Sequence, residues 1–153
     1  MTHILKAATL TIILLAHTSN AATKLDLESC AKFTVEVKNI TDGDTLVGNI
    51  DLGFSISLKD AKIRLYGINT PESRTRNLQE KELGLAAKAR LSELLGSARK
   101  VQICVDQNNP RGKFGRILAI MLADSVNVNE ILISEGHARH YFGGKREPWF
   151  PTR

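Results

Sequence analysis

Phe33 to Leu65 reads FTVEVKNITDGDTLVGNIDLGFSISLKDAKIRL, and its periodicity sets the fold class. Phe33, Val35 and Val37 alternate with Thr34, Glu36 and Lys38, the period of a strand buried on one face. Asp42-Gly43 is a turn pair, and Leu46-Val47 opens a second strand. Ile56 and Leu58, then Ile63 and Leu65, continue the β pattern to Gly67, with Lys59-Asp60 as the turn between them. From Glu80 to Lys100 the period becomes helical. Leu83, Ala87, Leu91, Leu94 and Leu95 share one face, with Lys81, Lys88, Arg90 and Glu93 elsewhere and Gly96 near the end. Val101, Ile103 and Val105 alternate again, Asn108 to Gly112 is a loop, and Ile117 to Leu122 is an apolar strand. A short helix fits Val128 to Glu135, stopped by Gly136. Three strands, a helix, two strands and a helix suit a mainly β fold: a partly open, five-stranded Greek-key barrel of the OB type with two helices.

The chain has 153 residues, a length that fits one domain. A hydrophobic fraction of 42% supplies a packed core and excludes global disorder. Twenty-one Lys+Arg against 16 Asp+Glu leave a net charge of +5, which favours anionic partners such as nucleic acid or an acidic surface. No repeat, low-complexity tract or linker divides the chain, so residues 22–153 are expected to form a single domain. The start is of a different kind. His3 and Lys6 precede the uncharged apolar run Ala7 to Ala16, and Ser19 and Ala21 have the spacing of a signal-peptidase site. The run is short for a membrane span, which needs about 20 residues. The expectation is a signal peptide, residues 1–21, cleaved after Ala21; an uncleaved N-terminal anchor is the other reading. Secretion or delivery to a periplasm follows from the first. Cys30 and Cys104 are an even pair, which in an exported chain suggests a disulfide; two unpaired thiols are the alternative.

Three short segments stand out for chemistry. Thr41-Asp42-Gly43-Asp44-Thr45 reads as a hairpin turn, or as a turn that holds Asp44 firmly beside a hard, oxygen-seeking cation such as Ca²⁺. It is not an EF-hand, because no Glu stands twelve positions along the loop. In Ile63 to Glu72, Arg64 lies between Ile63 and Leu65, where simple alternation puts it in solvent. Thr70 precedes Pro71 and should be extended, exposing its carbonyl to a ligand, while Glu72 stands in a loop carried by a rigid scaffold. In Lys113-Phe114-Gly115-Arg116, Arg116 opens the last long strand; it reads as a surface residue, or as a planar fork holding two phosphate oxygens.

From about Phe33 to Gly136 these segments resemble the staphylococcal nuclease (thermonuclease) family. Asp-Gly-Asp-Thr comes first, then Arg-Leu and Thr-Pro-Glu, a helix, Gly-Arg before an apolar strand, Val128-Asn129-Glu130 and Glu135-Gly136, all in the family's order. The resemblance implies an OB-type barrel and a calcium-dependent endonuclease that cleaves DNA and RNA with little sequence preference, leaving 3′-phosphates. It also implies roles. Asp44, Asn69 and the Thr70 carbonyl would ligate one Ca²⁺, with Asp42 a carboxylate near the ion. Glu72 would be the general base, and Arg64 and Arg116 would clamp the scissile phosphate. In such a fold the first strand and the strand of Cys104 are neighbours, which favours a Cys30–Cys104 bridge.

Two positions depart from the family. Asn69 is neutral where an Asp is usual; its amide oxygen is still an accepted calcium ligand, but one negative charge is lost beside the ion. Phe114 replaces a Tyr near a nucleotide phosphate and cannot donate that hydrogen bond; plain packing is its favoured reading, with Lys113 keeping the charge. Arg74 and Arg76 could track a phosphate backbone or belong to a solvated loop. Tyr141 and Phe142 fall where the family presents aromatics to a base, and packing is equally open to them. His137 and His140 match no catalytic role and read as surface or structural. With Arg153 shortly after Trp149, the family's long final helix is expected to be missing.

The leading expectation is a metal-dependent nuclease acting as a monomer, with DNA and RNA as substrates and no stable membrane association once the signal is removed. The alternative from another class is a catalytically impaired OB-fold nucleic-acid binder. Asn69 favours it, whereas Asp44, Arg64, Glu72 and Arg116 speak against it. An exported protein-interaction domain would use only the leader and the charge and explains none of the motifs.

Overall fold

The computed structural model describes residues 25 and 27–150; the expected signal peptide, residues 1–21, lies outside the described residues. In chain order the elements are β1 (Ala31–Asp42), β2 (Thr45–Gly53), β3 (Ile56–Leu65), β4 (Ile68–Asn69), α1 (Leu78–Gly96), β5 (Val101–Val105), β6 (Ile117–Ala123), β7 (Val126–Asn127), α2 (Val128–Ser134) and β8 (Arg139–His140). The main sheet runs β3-β2-β1-β5-β6-β7, all antiparallel. A parallel β3–β6 pairing, Ile63↔Ile117 to Leu65↔Ala119, joins its two ends. Five long strands thereby close into the expected OB-type barrel, and the closure falls at the ends of β3 and β6 where the chemistry-bearing residues begin.

Alternation fills the barrel. Leu46 and Ile50 from β2, Ile63 and Leu65 from β3, Ile103 from β5 and Met121 from β6 are all at most 2% exposed. Leu91 of α1 and Leu132 of α2, both fully buried, join the same cluster. The described disulfide links Cys30, just before β1, to Cys104 in β5, with Cα atoms 5.5 Å apart. Their strands pair through Lys32↔Cys104, which brings the two side chains within bridging reach.

Two local expectations are corrected. Lys59-Asp60 is not a turn: both lie inside β3, and the chain reverses at Phe54-Ser55, whose φ angles are 52° and 62°. A type I′ hairpin turn has positive φ at both central positions, and here two non-glycine residues adopt it. Asp60 does leave the extended region, with φ 48°, and its amide donates to Asn49 Oδ1 at 3.1 Å. The β2–β3 register shifts between Gly48 and Ile50, so the polar pair marks a bulge rather than a reversal. Helix α1 begins at Leu78, because the Asn77 side chain accepts from the amides of Gln79 and Glu80. Its buried face is Gly84, Ala87, Leu91 and Leu95, while Leu83 is 43% exposed. The face is turned toward Gly84 because the chain approaching the helix there is backbone, which leaves no room for a leucine.

Two polar ties fix the helices. Arg90 of α1 holds Glu135, at the end of α2, with Nε and Nη2 each 2.7 Å from a carboxylate oxygen. Buried Asn129 accepts from the Met121 amide and donates to the Tyr66 carbonyl, securing α2 to the barrel wall below the β3–β4 turn. Among the described residues no helix is long and apolar enough to cross a membrane.

Candidate active site

The β1–β2 hairpin turns in two residues, Gly43 and Asp44, between the paired Asp42 and Thr45. A Cβ on Gly43 would lie 2.7 Å from Ala87 Cβ and 3.1 Å from Thr70 Cγ2, so only glycine lets this turn sit between α1 and the Thr70 loop. Both carboxylates beside Gly43 are buried. Asp42 accepts from the Ser73 hydroxyl and meets Arg74 Nη2 at 3.3 Å, so it tethers the loop after Thr70. Asp44 accepts from Thr45 Oγ1 through Oδ1 and from the Thr70 amide through Oδ2, each at 2.9 Å.

Arg64 is 5% exposed, against the simple alternation of its strand. Ile63, Arg64 and Leu65 are buried in succession because Ile63 and Leu65 face the core while Asp44 and Asn69 pack against Arg64. The guanidinium lies across the mouth of the barrel. Nη2 is 3.1 Å from Asp44 Oδ2 and 3.5 Å from Asn69 Oδ1, while Nη1 donates to the Leu65 carbonyl at 2.9 Å. Burial pushes the Arg64 guanidinium below its ordinary pKa; Asp44 opposes this, and the nearby Arg146 and Arg116 add to it.

Past the Tyr66-Gly67 turn, β4 pairs with β8 and delivers buried Asn69 and Thr70 beside Asp44. Thr70 Oγ1 is buried with no hydrogen-bond partner among the described residues. Glu72 follows on the surface, half-exposed, with its Oε1 2.7 Å from Arg146 Nη1. Its backbone is held from behind. A Cβ on Gly84 would stand 2.6 Å from the Ser73 nitrogen and 2.8 Å from the Glu72 carbonyl oxygen, so α1 touches this loop directly through a glycine.

At the start of β6, Arg116 Nε donates to the Lys113 carbonyl at 3.3 Å, and its guanidinium stands 5.8 Å from the Phe114 ring centroid. Phe114 is 91% exposed with φ 61°, which corrects the packing reading: the turn that presents Lys113 and Arg116 swings the ring outward. Arg64, Lys113, Phe114, Arg116, Tyr141 and Arg146 all line one cavity of about 530 Å³. Phe142 lines it too, its ring 3.1 Å from where a Cβ of Gly67 would be. His140 is exposed and stacks on Phe142, and Arg74 is engaged with Asp42.

The geometry gathers cations around one cavity, two of which, Arg64 and Arg146, are paired with the carboxylates of Asp44 and Glu72. Residues 62–149 match the family described as staphylococcal nuclease homologue. The chain belongs to that family. The matched span contains Arg64, Asn69, Glu72, Arg116 and Tyr141 and begins after Asp42 and Asp44. The chain is similar to the SPbeta prophage-derived endonuclease YokF of Bacillus subtilis, 34% identical over 69% of this chain and 33% of that protein. It is also similar to endonuclease YncB of Bacillus subtilis, 36% identical over 53% of this chain and 38% of that protein. The thermonuclease of Staphylococcus intermedius is 33% identical over 69% of this chain and 58% of that protein. The chain thus spans a third to three-fifths of the length of these curated relatives.

For this member of the staphylococcal nuclease family the donors available to a divalent ion are the Asp44 carboxylate, the Asn69 amide oxygen and the Thr70 carbonyl. All are hard oxygens, and Asp44 Oδ2 and Asn69 Oδ1 already converge on one cationic nitrogen, Arg64 Nη2. The donor chemistry fits an oxygen-seeking cation, with a single formal charge. Accordingly, among the described residues no three His, Cys, Asp or Glu side chains gather at one point. Sequence reasoning missed Arg146, Ser73 and Gly84. A glycine inside a strong helical pattern, which costs about 1 kcal/mol relative to alanine, was the available signal for the last.

Proposed function

We propose that this protein is a metal-dependent endonuclease that hydrolyses phosphodiester bonds of DNA and RNA with little sequence preference, leaving 3′-phosphates. The observation that carries the reading is the juxtaposition of Arg64, Lys113, Arg116 and Arg146 around one cavity, with the carboxylates of Asp44 and Glu72 against Arg64 and Arg146, in a chain of this family. One Ca²⁺, held by Asp44, Asn69 and the Thr70 carbonyl, would supply positive charge to the phosphate oxygens as attack makes them more negative. Glu72 takes the proton from the water that attacks phosphorus, the P–O5′ bond breaks, and the 5′ oxygen leaves as a hydroxyl with a proton from solvent, so the phosphate stays on the 3′ side. Arg64 and Arg116 hold the non-bridging oxygens, and Arg64 is pre-aimed because two backbone carbonyls, of Asp44 and Leu65, fix it before substrate arrives. Lys113 and Tyr141 flank the strand, and Phe114 offers an exposed face to a base. Contact with backbone rather than base edges accounts for sequence tolerance. The protein acts as a monomer, outside the cell or in a periplasm, after loss of residues 1–21.

Digestion of plasmid and RNA by the purified protein, in calcium and in chelator, tests this. Cleavage that needs calcium supports it. Undiminished cleavage in chelator rejects the metal, and binding without cleavage in any divalent ion favours the binding-module reading, for which Asn69 speaks.

Two expected results follow from particular atoms. Asn69→Asp adds a second carboxylate where Asn69 Oδ1 already faces Arg64 and Asp44, so calcium affinity should rise at least tenfold by isothermal titration; wild type binding as tightly as the variant would refute the assignment. Gly84→Ala forces a methyl against the Glu72-Ser73 backbone, and displacing a base by about 1 Å can lower the rate roughly a hundredfold. Turnover should fall about a hundredfold, with an overpacking loss of about 1–3 kcal/mol in stability measured on the same protein by melting. An unchanged rate would mean that the loop yields without moving the carboxylate.

A further inference from the structure

Arg146 is not needed to build the barrel. It follows Gly143 and Gly144, both at positive φ, in a stretch without helix or strand, and its side chain is 45% exposed. That stretch is nonetheless anchored. The Tyr141 amide donates to the Gly67 carbonyl at 2.8 Å and Tyr141 Oη to the Gly144 carbonyl at 2.9 Å, and Arg139 covers the Trp149 ring at 4.0 Å. The anchoring aims Arg146 at two places at once. Nη1 meets Glu72 at 2.7 Å, and the same residue lines the cavity shared by Arg64, Lys113 and Arg116. The ion pair with Glu72 is made by one nitrogen only and is half in water, so its net strength is small. A phosphate offers a guanidinium two parallel hydrogen bonds and outbids such a contact. Among the described residues neither Lys113 nor Arg116 is within salt-bridge distance of a carboxylate, so an anion entering the cavity meets cations on several sides.

We propose that Arg146 is a third phosphate-contacting guanidinium that exchanges its partner, leaving Glu72 for a backbone phosphate of the bound strand, so that the carboxylate is unmasked only when nucleic acid is in place. The proposal rests on the nuclease reading and adds to it a substrate contact and a local autoinhibitory pair. Exchange sets the sign of every variant. Removing Glu72's charge frees Arg146 and tightens binding. Removing Arg146 weakens binding whether or not Glu72 is charged.

The test is fluorescence anisotropy with a fluorescein-labelled single-stranded oligonucleotide, across a salt series, in calcium and in chelator. Glu72→Gln should bind more tightly than wild type compared in chelator. Arg146→Ala in the Glu72→Gln background should weaken binding about tenfold, the loss of one contact to a charged group. It should also lower the salt slope by about 0.7, the value for one phosphate on a single strand. Arg146→Lys should restore the slope but not the whole affinity, since a point charge lacks the fork. Melting curves check that each variant folds, which the exposure of Arg146 favours. Equal affinity and slope for Glu72→Gln with and without Arg146→Ala would overturn the assignment and leave Arg146 as a salt-bridge partner, the nuclease reading standing. No binding by any of these proteins in either condition removes both.

Discussion

Arg64→Ala is expected to destabilise the protein by about 3–5 kcal/mol, the loss seen when one member of a buried ion pair is removed. The side chain is 6% exposed and its partner Asp44 only 9%, so in the calcium-free protein deletion leaves a buried carboxylate with only the Thr45 hydroxyl and the Thr70 amide as partners. The Leu65 carbonyl loses its donor at the same moment. Phosphodiester cleavage should vanish together with stability, which makes the activity alone uninformative. A cycle with Asp44→Ala separates the parts. If the cost is mainly that of an unpaired charge, Arg64→Ala should cost much less in the Asp44→Ala background than in wild type. Urea denaturation of the four proteins measures it, and a loss below about 1 kcal/mol in wild type would show that water reaches Asp44 and that the pair is not desolvated. Arg64→Lys should keep most of the stability but not the planar contact with phosphate.

The burial of Arg64 could not be read from its neighbours in sequence. Period-two alternation sends it to the face opposite Ile63 and Leu65, and what buries it there is Asp44 and Asn69, brought against it by the β1–β2 turn and by β4. The strands themselves were legible, since Val35, Leu46, Ile63, Ile103 and Met121 follow a local rule that the barrel obeys. Asp44, Asn69 and Thr70 were found through a family pattern, and the fold does place them together. Their mutual contacts, Thr70 amide to Asp44 and Arg64 to both Asp44 and Asn69, belong to the closure of the barrel rather than to any one motif. The hairpin at Phe54-Ser55 was hidden for another reason: neither residue is glycine, asparagine or aspartate, so the positive φ angles had no local signature, whereas Asp60, which has one, sits at a bulge. Arg146 lies 74 positions from Glu72, and the β4–β8 pairing with the Tyr141–Gly67 hydrogen bond brings that segment back beside it.

Glu72→Gln is expected to lower the rate of cleavage by roughly 10²–10⁴, the usual contribution of a positioned general base, while leaving the fold in place. The substitution preserves volume and leaves the backbone contacts behind Glu72 untouched: the approach of Gly84 and the bond from the Glu72 amide to Glu80 Oε1 at 3.4 Å. What it removes is a charge that is half in water and an ion pair with Arg146, which together should change stability by less than about 1 kcal/mol. Rate and stability therefore move apart, unlike in Arg64→Ala, where they fall together. The measurement is single-turnover cleavage of a labelled oligonucleotide at saturating protein, with a melting curve on the same preparation. Saturation matters because loss of the carboxylate also frees Arg146, and tighter substrate binding could disguise a slower chemical step under dilute conditions. A rate within tenfold of wild type at saturation would mean that the proton leaves the attacking water by another route, and Glu72 would then be only the resting partner of Arg146. A fall of two or more powers of ten with an unchanged melting temperature would place the chemistry at this carboxylate, on a loop held in position by Gly84 from behind and by Asp42 through Ser73.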